Sequence, residues 1–153
     1  MNDGETMRLR VLTFDELDPR TSYDLWRLRQ QVFIIEQQSP YPDLDGRDPE
    51  PATRHFLLDV EGELVGCVRL LDDGDALRIG RVVVASGWRG RGLADRLMHA
   101  VMAEVGDRPA VLDAQVGLTG WYATFGFEIS GPEFVEDGVA HRPMARPATA
   151  GTA

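Results

Sequence analysis

The chain has 153 residues, 43% of them hydrophobic and 27% charged, and a formal net charge of -9 at pH 7. That length suits one domain with one core and leaves no room for two full ones, and the ordinary charged and aromatic fractions exclude bulk disorder. The acid excess argues against a nucleic-acid partner, which calls for a cationic face; an acidic surface suits amine partners, or simply keeps a protein soluble.

Residues 1–6 carry Asp3 and Glu5 and no apolar stretch, unlike a secretory leader. The periodic pattern begins at Met7, an alternative start to Met1. Residues 7–14 alternate and predict a first strand. Asp18-Pro19 marks a turn, and Thr21 with Asp24 resembles a capping box opening a helix to about Ile35. Leu25, Leu28, Val32 and Ile35 fall at helical spacing and are expected in the core. Residues 38–51 hold four prolines and several acids. A loop that long in a compact domain is usually functional or mobile.

Three strands are predicted next: residues 55–60 and 63–71, joined by the hairpin pair Glu61-Gly62, and residues 76–85 after the turn 72–75. Short connections imply an antiparallel meander. Cys67, the single cysteine, allows no intrachain disulfide and sits in an apolar run, as a buried small residue would. No run approaches the roughly 18 apolar residues of a membrane span, so the expected location is cytoplasmic. After the glycine-arginine turn 87–92 comes an amphipathic helix with Leu93, Leu97, Met98, Val101, Met102 and Val105 on one face. Residues 110–114 predict a buried strand, parallel to the previous one because a helix connects them. A short helix over about 117–124, a strand starting at Phe125-Gly126-Phe127 and a last strand over 139–144 complete the reading. It is one α/β domain over 1–153, with a core at about 7–146 and frayed tails at 1–6 and 147–153.

The chemistry concentrates where the strongest strand meets the best helix. The first backbone N–H groups of a helix lack partners and carry partial positive charge. Gly90 and Gly92 leave room for close approach, and Arg89 and Arg91 add cations. The turn reads either as a pyrophosphate site or as a glycine-rich turn with solvated arginines. A Walker loop is absent, and a dinucleotide turn would need glycine where Asp95 stands.

Arg89-Gly90-Arg91-Gly92-Leu93-Ala94 resembles the R/Q-x-x-G-x-G/A signature of the GNAT N-acetyltransferase superfamily. The order of elements over about 9–146 fits as well. Residues 32–37, 40–46, 54–55, 79–82 and the segment Tyr122-Ala123-Thr124-Phe125-Gly126-Phe127 look like its ElaA-like branch. The resemblance implies a mixed, mostly antiparallel sheet with helices on both faces and a splayed parallel strand pair. It implies acetyl-CoA as co-substrate, its pyrophosphate on the amides of Arg89, Gly90, Arg91, Gly92, Leu93 and Ala94. The pantetheine arm would lie along the main chain of Val82, Val83 and Val84. Tyr122 would face the sulfur or donate to the departing thiolate; otherwise it is a buried tyrosine bonded to backbone. An asparagine that often bonds the cofactor in the family is replaced here by Gly120, with Thr119 as a substitute.

The family's glutamate on the signature strand has Arg81 near its place, so the base is open among Glu36, His55, Asp113 and the acids of the 43–45 loop, Glu36 first. The reaction implied is direct attack by a primary amine, on a small molecule or peptide, without an acyl-enzyme. Asp43 and Asp45 are expected to draw a cationic acceptor. The competing function is a non-catalytic acyl-CoA-binding or sensing module. No metal, nucleic acid or membrane is implied, and dimers are common in similar proteins, so a homodimer is within expectation.

Overall fold

The computed structural model describes residues 5–149. Met1, Asp3 and the last residues of the C-terminal tail therefore lie outside the described residues. β1 (Met7–Leu12), β2 (Arg54–Val60), β3 (Glu63–Asp72) and β4 (Leu77–Val84) form the antiparallel meander. The β2–β3 hairpin turns at Glu61 and Gly62, both at positive φ (52° and 80°), as a tight two-residue hairpin requires. α1 (Pro19–Arg29) joins β1 to the long loop, α2 (Leu93–Val105) follows β4, and β5 (Ala110–Gln115) leads to α3 (Thr119–Ala123). β6 (Glu128–Ile129), β7 (Phe134–Glu136) and β8 (Val139–Arg146) close the sheet, in the order β1-β2-β3-β4-β5-β8-β6, with β7 on the free end of β8. β4 and β5 are the one parallel pair.

Neighbouring side chains of a strand point to opposite faces. Cys67 and Val83 accordingly pack under α1 against Leu25, Leu28 and Val32. The other face, with Phe56, Val65 and Val68, takes Leu97, Met98 and Val101 of α2 and Tyr122 of α3. β3 is buried along most of its length because helices cover both its faces. Among the described residues no helix is long and apolar enough to cross a membrane.

Several local expectations are corrected. α1 is capped by Asp18, whose Oδ1 accepts the Thr21 N–H at 2.7 Å, with Pro19 in the first helical position. Thr21 is thus inside the helix. After Arg29 the helix widens into a π-helix over Gln30–Glu36, bonded from Gln37 N–H to Val32 O at 3.1 Å. The wider turn breaks the 3.6-residue phase, and Ile35, expected in the core, is 52% exposed. Phe125 and Gly126 turn the chain out of α3 rather than start a strand. β7 was not anticipated, being three residues long. The tails are tied where they are described: the Thr6 N–H donates to Glu61 Oε1, and the Thr149 N–H to the Asp107 carbonyl.

Candidate active site

β4 carries one extra residue against β3. Cys67 pairs with Val83 and Arg69 with Gly80, so Arg81 and Val82 form a bulge, with Arg81 at φ 53°. A bulge bends its strand and adds local twist. Before the bulge β4 and β5 have already parted: they pair only at Leu77↔Ala110 and Arg78↔Val111. β5 then follows β8 through Gln115↔His141. The splay leaves a cleft of about 570 Å³ between Ile79, Gly80 and Val82 on one side and Leu112, Asp113 and Tyr122 on the other. Along this stretch β4 makes no ladder bonds toward β5, so main-chain groups face the opening.

The signature turn lies past the end of β4. Gly92 is the N-cap of α2, at φ 75°, and supplies no side chain to the first amides. Gly90 is also left-handed at φ 78°, and a β-carbon on either glycine would meet no atom within 4 Å. The amides of Gly92, Leu93 and Ala94 donate no hydrogen bond to a described residue. Arg91 stacks on Trp88 at 4.7 Å. Arg89 donates to the Val84 carbonyl at 2.9 Å, and Val83 pairs with Cys67 of β3, so neither is left free as the resemblance implied.

Tyr122 stands in the cleft wall, 6% exposed and edge-on to Phe127. Burial pushes its phenol up to about 12, and no hydrogen bond or charge of a described residue offsets this. It is protonated throughout the working pH range, a donor whose hydroxyl is not tied down. Thr119, the proposed substitute for the missing asparagine, donates instead to the Val116 carbonyl at 3.4 Å and is half-buried.

The structure separates the candidate bases. Glu36 pairs with Arg89 (2.7 Å to Nη1) and lines a second recess with Ile35, Ala85 and Ser86, so it is not brought to the cleft with Tyr122. His55 is 1% exposed, with Nε2 3.1 Å from the Asp48 carbonyl, and it too is outside the cleft. Asp113 does line the cleft, 3.7 Å from Arg78. Three residues that sequence reasoning missed also line it: Glu136, Asp137 and His141. The Nδ1 of His141 is 2.8 Å from the Val139 carbonyl. A carbonyl only accepts, so Nδ1 carries the hydrogen and Nε2 keeps a lone pair. Stacking on Phe134 at 5.7 Å holds the ring.

The acids expected to attract a cation are already neutralised. Arg29, 1% exposed, bonds Asp43 at 3.0 Å and Asp48 at 2.7 Å. Arg69 grips both oxygens of Asp45 at 2.8 Å, and Arg81 reaches Asp43 at 2.7 Å. The cluster pins the 38–51 loop against α1, β3 and β4, and the loop in turn supplies Tyr41, Pro42 and Asp45 to the cleft wall. The loop shapes the cleft, but Asp43 and Asp45 offer it no uncompensated charge.

His55 beneath this cluster is held neutral, its pKa lowered by burial. The unfolded chain then binds a proton that the folded chain refuses once pH drops below the ordinary 6.5. Stability is expected to be full above that value and to fall below it, by at most about 1.4 kcal/mol per pH unit for this group. Urea titrations between pH 8 and 5 check this: His55→Gln is expected to show a flatter slope than the native chain, and equal slopes contradict it.

Comparison with known proteins places this geometry. The model of an acetyltransferase (GNAT) domain matches residues 22–147. The protein Rv2851c of Mycobacterium tuberculosis, of the group UPF0039, is 46% identical over 147 residues, covering 93% of this chain and 94% of its own. Protein ElaA of Escherichia coli is 37% identical over 142 residues, 88% of this chain and 93% of ElaA. The crystal structure of ElaA superposes with a TM-score of 0.87 over 92% of this chain and 99% of that one. A Pseudomonas aeruginosa structure described as an acyl-CoA N-acyltransferase, 32% identical, gives 0.85 over the same shares.

Proposed function

The chain belongs to the GNAT acetyltransferase family, in its ElaA-like branch, and from that premise we propose that it moves an acetyl group from acetyl-CoA to a primary amine. Membership and the related acyl-CoA N-acyltransferase support acyl transfer; acetyl as the group and a primary amine as the acceptor are our reading. The observation that carries it is the parted β4–β5 pair with an open, uncapped helix start beyond one end. Converging amides with no hydrogen-bond partner among the described residues suit the diphosphate of the carrier, at Arg89, Gly90, Arg91, Gly92, Leu93 and Ala94. The main chain of β4 at Val82, on the side turned away from β3, suits the amide-bearing arm as an added strand, whereas Val83 pairs its main chain with Cys67.

In this reading the amine attacks the thioester carbon directly. The tetrahedral intermediate collapses with cleavage of the C–S bond, and the sulfur leaves with the electron pair. Tyr122 donates a hydrogen bond to that sulfur as its charge grows. Full proton transfer from a phenol near 12 to a thiol of ordinary pKa, about 8.5, is uphill by roughly 5 kcal/mol, so stabilisation by the bond is its main contribution. Cys67 is not the nucleophile: it is 2% exposed, and burial pushes its thiol up to about 12. On the acceptor side, Nε2 of His141 is the lone pair in the cleft that takes the amine's proton, a role the sequence alone had ranked first for Glu36.

The test is a panel of amines with acetyl-CoA and detection of free thiol. Amine-dependent thiol release is expected. Binding of acetyl-CoA with no release for any amine would instead favour the sensing module. In the same assay His141→Gln is expected to lower kcat/KM for the amine by about 10²-fold while leaving the donor KM unchanged. An unaltered amine kcat/KM removes His141 from the mechanism.

A further inference from the structure

α3, which carries Tyr122, is a single turn of five residues with no side-chain cap. A helix that short does not hold its own orientation in water, so its neighbours must set it. One neighbour, beside β5, is α2. Asp95 and His99 are four residues apart on α2 and share a face; Trp121 of α3 and Phe125, just past its end, meet them. The Trp121 indole N–H donates to Asp95 Oδ1 at 2.7 Å. The His99 ring meets Phe125 edge-on at 5.3 Å. Trp121 also lies against the Tyr122 ring, with centroids 4.8 Å apart.

Asp95 lies in the first turn of α2, immediately past the amides assigned to the diphosphate. A carboxylate is favoured at a helix start but repels a bound anion, so its placement there calls for a reason. The indole bond supplies one. It draws the carboxylate toward α3 and joins the element that takes the diphosphate to the element that carries the phenol. The arm between diphosphate and sulfur has a fixed covalent length. The distance from the start of α2 to the Tyr122 hydroxyl must therefore match it.

We propose that Asp95, acting through Trp121, is a positioning residue that sets the reach of Tyr122 toward the donor sulfur. The proposal rests on the acyl-CoA reading above. Asp95 is exposed, so Asp95→Ala folds. Misplacement of a catalytic group by about 1 Å costs on the order of 10²-fold in rate. Asp95→Ala is accordingly expected to lower kcat about 10- to 100-fold, with the donor KM within about twofold of native. Asp95→Asn keeps an acceptor oxygen and is expected to recover the rate to within about threefold. In a Tyr122→Phe background Asp95→Ala is expected to add less than about twofold, because the group it positions is already gone.

A native kcat in Asp95→Ala, a loss seen only in donor KM, or full additivity with Tyr122→Phe overturns the proposal. Hydrogen exchange decides it independently of turnover. Asp95→Ala is expected to speed exchange of the α3 amides and leave those of α2 past its first turn unchanged; native exchange in α3 overturns the proposal even if no amine proves to be a substrate. Failure of the acyl-transfer reading is seen separately, in the native chain and Tyr122→Phe alone.

Discussion

Tyr122→Phe is expected to lower kcat by about 10²–10³-fold while the donor KM stays within about threefold. The hydroxyl is the one atom removed, and it lies on a ring already locked by burial at 6% exposure and by contacts with Trp121 and Phe127. Phenylalanine fills the same space, so packing is kept. The carrier's diphosphate and arm contact other residues, so ground-state binding is kept too. What disappears is a donor whose bond strengthens as charge leaves the carbonyl and gathers on sulfur, and such a bond acts on kcat rather than on KM. The melting temperature should hold, because no described residue bonds the hydroxyl. Steady-state kinetics with a melting curve on the same sample checks both halves. A native kcat reduces Tyr122 to a core residue.

The largest expected effect on stability is at Arg29. Arg29→Met should cost about 3–5 kcal/mol and lower the melting temperature by roughly 6–20 °C. The guanidinium is 1% exposed and divides its donors among the Asp43 carboxylate, the Asp43 carbonyl and Asp48. Methionine replaces the aliphatic stem but satisfies none of them. Two largely buried carboxylates are then left with Arg69 and Arg81 alone. The pH dependence has a defined sign. Burial alone would raise the Asp48 pKa, yet Arg29 and then Arg69 hold it below the ordinary value of 3.8. In the native chain this contribution is complete above that value and is lost as pH falls through the lowered folded pKa. Without Arg29 the burial effect dominates, the folded carboxyl prefers its proton, and the deficit should shrink as pH falls from 7 toward 4. Denaturant titrations of both chains across that range test it; a deficit independent of pH would mean that lost packing, not charge, is the cause.

The cleft itself depends on this cluster. Arg81 sits at the bulge, just past the point where β4 leaves β5, and its guanidinium is held by Asp43 and over the Tyr41 ring. A positive φ in a non-glycine residue is costly and persists where the surroundings determine it. The same salt bridges that tie down the proline-rich loop therefore also secure the bend that opens the binding edge.

Much of this was legible from residue order. Short turns and alternation placed the meander, because antiparallel neighbours need little chain between them. A strand, a glycine-arginine turn and an amphipathic helix in succession placed the open helix start. The Phe125-Gly126-Phe127 reading failed because a two-residue strand leaves no period to detect, and β7 escaped for the same reason. With β7 unseen, Glu136 and Asp137 had no place near the cleft; His141 lay on the anticipated last strand, but its pairing with β5 is not a local feature. Ile35 and Glu36 were misplaced together, since a π-helix carries no propensity signature and it shifts the side chains at its end, although Val32 stays in the core.

Local patterning by itself determined the element types, the parallel crossover and the turn whose amides are left unpaired, because each depends on bonds and periodicities spanning a few residues. Tertiary structure alone decided which charges are free. Asp43, Asp45 and Asp48 look like an acidic lure in the chain, yet they meet Arg29, Arg69 and Arg81 from three separate elements. Glu36 is drawn off to Arg89, and His141 is delivered to the cleft by a strand pairing across the sheet. Charge pairing acts over a few ångströms whatever the separation along the chain, so only the folded arrangement determines which group remains free to react.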